Sequence, residues 1–149
     1  MSIMDLQTTF DDAAAITVTR NSTNVIDLGV ARNIGRGREL KLVATVGAAF
    51  TAAGAATLTP TLVVADSADL ATNPTTIWTG LAIPKASLVA GYKAIDVSIP
   101  SYTRQRYMGV VWTVATGPMT AGTITARVQI DSAESVAGQE YPAAGSTDY

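Results

Sequence analysis

The chain has 149 residues, 48% of them hydrophobic, with a formal net charge of −2, no cysteine and no histidine. That size suits one domain with a real core. The composition excludes disulfides and thiolate metal sites, and it removes the commonest general base, the Ser-His-Asp and Cys-His arrangements and most zinc sites. The charge balance gives no global attraction to nucleic acid. No run approaches the roughly 18 apolar residues of a membrane-spanning helix. Met1 to Phe10 lacks the basic start and apolar stretch of a signal peptide. The expectation is a protein made and folded in a cytoplasm, without membrane contact.

Met1 to Ala14 has no sustained period and is expected to be an arm leading into the domain. Ile16 and Val18 alternate with Thr17 and Thr19, which predicts a first strand with Ile16 and Val18 facing in. Asn21 to Asn24 reads as a turn, rich in side chains that bond local backbone, and Val25 to Leu28 as a short strand stopped by Gly29. Ala31 to Arg38 is a Gly/Arg loop. Leu40, Leu42, Ala44 and Val46 then alternate with Glu39, Lys41, Val43 and Thr45. Gly47 to Ala56 carries only Phe50 as bulk, too little to expect a core element there. In the next strand Leu58, Leu62 and Val64 oppose Thr57, Thr59 and Thr61, and Pro60 predicts an edge position or a bulge.

Asp66 to Thr75 reads as a loop and Thr76 to Trp78 as a short strand. Pro84 to Ala90 predicts one helical turn closed by Gly91. Ile95, Val97 and Ile99 alternate with Asp96 and Ser98. The longest strands come last. Met108, Val110, Trp112 and Val114 share one face of the first. In the second, Ile124, Ala126, Val128 and Ile130 alternate with Thr125, Arg127 and Gln129. Gly117, Pro118 and Gly122 lie between them, and the pair is expected to form a hairpin with one buried face. Ser132 to Tyr149 is small and polar, a tail. The sum is one all-β domain over 15–131, between an arm at 1–14 and a tail at 132–149. About eight short strands without a long amphipathic helix predict an antiparallel β-sandwich or barrel.

No catalytic site emerges from the residues, so the chain is expected not to be an enzyme and to need no cofactor or metal. Arg32, Arg36, Arg38 and Lys41 form a basic cluster that is either a docking patch for an acidic surface or a solvated loop. No aromatic platform is interleaved with it, so no direct nucleic-acid binding is expected. Gly35 and Gly37 lack the Lys-Ser/Thr and the following helix of a phosphate-binding loop. Asp66 and Asp69 fall short of the six to eight oxygens that calcium typically takes and read as turn formers. Trp78 and Trp112 are candidate sugar platforms, but Trp112 is in phase with the buried face of its strand and is expected in the core.

Several stretches, taken in order, resemble a known family. They are Thr9-Phe10-Asp11-Asp12-Ala13, Ser22 to Gly29, Ala49 to Leu58, Ala82-Ile83-Pro84 with Ala90-Gly91-Tyr92, and Thr120 to Ala126. Together they resemble the capsid cement (decoration) proteins of tailed bacteriophages, of the small jelly-roll type, from about Thr9 to Asp131. The resemblance implies a jelly-roll sandwich on the outer surface of a phage head. There it would bind the major capsid protein at capsomer junctions, beside copies of itself as a dimer or trimer on a local symmetry axis. The expected contacts to capsid or neighbouring subunits are Phe10, Arg32, Arg36, Arg38, Phe50, Tyr141 and Tyr149, with the aromatic ones as anchors. A carbohydrate-binding or host-adhesion module of a phage tail or fibre is the alternative.

Overall fold

Alternation of apolar and polar side chains across a pleated backbone gives each strand one inward face, and the structure uses that face throughout. The structure, a computed structural model, describes residues 7–32, 39–100 and 104–130. Ten strands run in order: β1 (Thr9–Ala15), β2 (Arg20–Asn21), β3 (Ile26–Asp27), β4 (Leu40–Thr51), β5 (Thr57–Ala65), β6 (Thr75–Thr79), β7 (Ile83–Pro84), β8 (Lys93–Ser98), β9 (Tyr107–Ala115) and β10 (Ala121–Ile130). A 3-10 turn at Lys85–Ser87 is the one helical element among the described residues. Gly91 follows it with φ +86°, the left-handed position expected there.

All pairings are antiparallel, in two sheets. One sheet has the order β1-β10-β4-β8; the other has β2-β9-β5-β6, with β3 on β9 and β7 on β5. The pairs nest: β1 with β10, β2 with β9, β4 with β8, and β5 with β6. Pairing of β10 with β4 and of β9 with β5 then closes the two layers. This is a jelly roll, a long nested ribbon wound into a sandwich. Its core draws on both sheets: Phe10, Leu42, Val46, Ile95 and Ile124 from the first, and Leu58, Leu62, Met108, Val110 and Trp112 from the second.

The winding corrects the expected hairpin. The strands on either side of Gly117-Pro118 are β9 and β10, and they belong to opposite sheets. Their apolar faces meet across the core, and the intervening loop crosses between layers with Met119 buried beneath it. Pro60 lies in a central strand and not at an edge, while the ladder from β5 to β6 carries a register shift two residues on, between Leu62 and Val63. The Pro60 carbonyl accepts from the Gly80 N–H at 2.8 Å, in the gap between the β6 and β7 ladders. A residue's N and C=O leave a strand on the same side, so the missing donor falls where no ladder bond is needed.

Two further corrections concern the expected aromatic anchors. Thr9–Ala15 is β1, although residues up to Ala14 were expected in the arm, and the Phe10 ring is fully buried. Register shifts between Thr9, Asp11 and Ala14, with Ala13 at φ +45°, mark a bulge that turns Thr9, Phe10 and Asp11 inward in succession. Residues 16–19, the expected first strand, are instead the loop after it, with Ile16 buried and Val18 exposed. Phe50 is likewise in the core, because β4 runs on to Thr51. A Cβ added at Gly122, whose φ is +136°, would sit 2.4 Å from the Phe50 ring. Glycine opens the slot that the ring fills.

Candidate interaction surfaces

Jelly-roll winding gathers the loops at two ends of the sandwich. At one end lie 28–32, 66–74 and 104–106, with Gln7 and Thr8 beside Val128 and Ile130 opposite Leu40. Charge concentrates here. The Asp27 carboxylate accepts from Arg106 Nε and Nη2 in a fork, both at 2.8 Å, and from the Gly29 N–H at 2.8 Å. The Arg106 guanidinium stands 5.1 Å from the centre of the Tyr107 ring. The Leu28 N–H bonds the Arg106 carbonyl at 2.8 Å, so this pair ties 28–32 to the start of β9.

The hydrogen bonds from Arg106, and then that from Gly29, hold the Asp27 pKa down from 3.8 to about 2, and the same carboxylate raises that of Arg106. Folding therefore favours ionised Asp27. Its contribution is fully present above 3.8 and is lost as pH falls through about 2. We expect the Asp27 carboxyl carbon to titrate by NMR near pH 2 in the wild type. In Arg106→Ala it should move back towards 3.8; an unchanged midpoint would mean that the fork does not set it.

Asp66 to Asn73 is a turn, as expected. Asp69 accepts from the Ser67 hydroxyl and from the Ala71 N–H at 3.0 Å, which lowers its pKa, with Ser67 the larger cause. Asn73 Nδ2 donates to Asp66 at 2.9 Å. Leu70 fastens this turn to the outer face of the sheet, against Gly109, where an added Cβ would lie 2.6 Å from its methyl. A shallow groove of about 370 Å³ lies nearby, lined by Gln7, Asn24, Val25, Ile26 and Asp27. Among the described residues no group of His, Cys, Asp or Glu stands together in a way that holds a metal, and no helix is long and apolar enough to cross a membrane.

The most elaborate polar cluster is internal. Asp11, turned in by the bulge, accepts from Trp112 Nε1 at 2.7 Å, the Thr23 N–H at 2.9 Å, Thr23 Oγ1 at 2.7 Å and Arg20 Nη2 at 3.0 Å. Arg20 also donates to the carbonyls of Ala15 and Asn21. Asn24 bonds back to β1 through Thr9 and Phe10. These bonds join β1 and β2 across the edge between the two sheets and satisfy a buried carboxylate. Asp11 is buried, and its bonds tie β1, the 22–24 turn, β2 and β9 together.

Of the expected contact residues, Phe10 and Phe50 are in the core and cannot reach a neighbour. Arg32 is exposed at the charged end, where its guanidinium lies 3.8 Å from the position of a Cβ on Gly29. Arg36, Arg38, Tyr141 and Tyr149 lie outside the described residues. Trp112 is fully buried, as its phase predicts. Sequence reasoning passed over Asp11, Arg20, Asp27 and Arg106 as partners. Each pair is distant in the chain or masked by a bulge, and no spacing rule reaches it.

The fold defines an all-β sandwich of jelly-roll type. The Bbp16 family profile matches residues 10–128, and the chain belongs to that family, whose name suggests a phage-related protein. A search of curated proteins finds no match.

Proposed function

We propose that this protein is a capsid cement protein, a non-enzymatic β-sandwich. In this reading it binds the outer surface of a phage head at capsomer junctions and stabilises the DNA-filled shell. The observation that carries the reading is the Bbp16 match over residues 10–128, which spans the same stretch that resembles the cement proteins and covers the sandwich from β1 to β10. The build suits the task. Two nested sheets clasped by a satisfied buried carboxylate resist deformation, and many copies on a shell gain by avidity even when each contact is modest. The sugar-binding alternative loses Trp112 as a platform, because that ring is inside.

The partners under this reading are the major capsid protein and neighbouring copies on the shell, not nucleic acid. Heads assembled without the protein should form, but should release DNA or rupture at lower temperature and milder osmotic shock than decorated heads. Equal survival of bare and decorated heads would contradict the reading.

A further inference from the structure

Two residues on the second sheet break a local rule, and each makes sense only beside the other. Gly109 lies inside β9, where a glycine weakens the strand and marks a close approach. Leu70 holds φ +59°, a left-handed position that glycine fills at no steric cost and leucine does not. The turn alone therefore gains nothing from leucine; the position uses its side chain. One Leu70 methyl lies 2.6 Å from where a Gly109 Cβ would stand, and a Val25 methyl closes the same notch at 3.3 Å. A local preference is given up in this way where a particular contact matters more. The pair is a peg and its socket.

The peg stands on a connection folded back over the sheet. Residues 66–73 join β5 to its neighbour β6, yet they reach across β9 as far as β2, where Asn21 Nδ2 donates to the Asp69 carbonyl at 3.0 Å. Val63, opposite Gly109 in the ladder, is only 6% exposed on this outer face and stands outside the main core, as does Leu70. Inside the connection the bonds are dense. The Asp66 N–H donates to the Thr72 carbonyl at 3.0 Å, and the Leu70 N–H to the Ser67 carbonyl at 3.1 Å. The Ala71 N–H reaches Asp69 and the Thr72 N–H reaches Ser67 Oγ, both at 3.0 Å, while Asn73 holds Asp66. Outward bonds are few. Among the described residues, Asn21 to Asp69 and Gln105 to the Asn73 carbonyl tether the connection, and no backbone bond joins 67–71 to the sheet.

We infer that 66–73 is a strap that closes on the outer face of the second sheet and opens as one piece while the sandwich stays folded. Its own bonds hold its shape, whereas one apolar peg and two side-chain tethers hold it down. A segment so lightly docked is the kind of unit that opens ahead of global unfolding. Lifting it leaves the main core enclosed, because Val63 and Leu70 are not part of that core. Val25 also lines the groove beside Gln7 and Asp27, so the strap sets how far that groove runs along β9. The device is independent of the cement reading and is tested on the free protein.

The chain has no cysteine, so a single introduced thiol reports alone. Val63→Cys places it beside the peg and Val110→Cys places it in the main core, and each is treated with a small aromatic disulfide in native buffer. Position 63 should react about a hundredfold faster than position 110, at a rate that low urea barely changes, because local opening exposes little surface. Adding Leu70→Ala should speed position 63 by about tenfold or more, since the peg's buried area is lost. Hydrogen exchange should find the Leu70 and Thr72 amides more protected than the position 63 thiol, because bonds inside the strap survive its opening.

Reaction at position 63 no faster than at position 110, or as steep in urea as global unfolding, would make the strap a fixed part of the sandwich and overturn the inference. Indifference to Leu70→Ala would overturn it by showing that the peg does not hold the strap shut. Inner amides no better protected than the thiol would overturn it as well, because the turn would then melt instead of lifting. If circular dichroism shows that Val63→Cys does not fold, methyl relaxation NMR of the unmutated protein decides. Leu70 and Val25 methyls should then exchange at one rate while those of Leu62 and Val110 stay silent, and silence at all four would reject the strap.

Discussion

Trp112→Ala is expected to destabilise the fold by about 3–5 kcal/mol. The ring is fully buried in β9, a central strand, with Arg20 of β2 and Pro60 of β5 opposite it on either side. The loss should fall towards the upper part of that range. Truncation opens a large cavity and also takes a donor from the buried Asp11 carboxylate. Trp112→Phe keeps most of the buried area, so it should cost about 1–3 kcal/mol, mainly through that lost bond. Urea unfolding with an unchanged m-value measures both. A loss below about 1 kcal/mol for the alanine variant would move the ring out of the core and restore the sugar-platform reading.

Asp11→Ala should cost about as much, roughly 3–5 kcal/mol, because it breaks a buried ion pair by removing one partner. Arg20 is left with its guanidinium partly covered, and Trp112 Nε1 and Thr23 lose their acceptor. The two sites are in contact, so their effects should not add. A double-mutant cycle of Asp11→Ala with Trp112→Phe should return a coupling of about 0.5–3 kcal/mol. Additivity within a few tenths would mean that the indole and the carboxylate do not share a bond in solution.

Period-two alternation was sufficient to find the inward faces of β4, β5, β8, β9 and β10, because side-chain direction along a strand is a local property. Leu42, Ala44, Val46, Leu58, Leu62, Val64, Met108, Val110, Trp112, Ile124 and Ala126 are all buried as that pattern requires. Partnership between strands is not local. The loop through Gly117 and Pro118 suits a hairpin and a crossing between sheets equally well, and only the nested pairing of β1 with β10 and β2 with β9 decides it. The count of about eight strands became ten among the described residues: 16–19 is a loop, β1 lies where an arm was expected, and β2 and β7 are two-residue strands, too short to carry a period.

The candidate contacts failed for a related reason. Phe10 sits at a bulge that breaks alternation, and Phe50 sits in a run whose glycine partner is far along the chain at Gly122. Isolated aromatics among Ala, Gly and Thr therefore read as surface anchors when they are core. The polar cluster around Asp11 shows the same limit: the sequence displays an acid near a strand, and folding supplies Trp112 as its donor.

The most direct measurement of the central claim is a cryo-electron microscopy map of intact heads from the phage that carries this protein. The account predicts a jelly-roll density on the outer surface at capsomer junctions, repeated over the shell. Heads bare of such density, or density for this sandwich only on the tail or its fibres, would contradict the account.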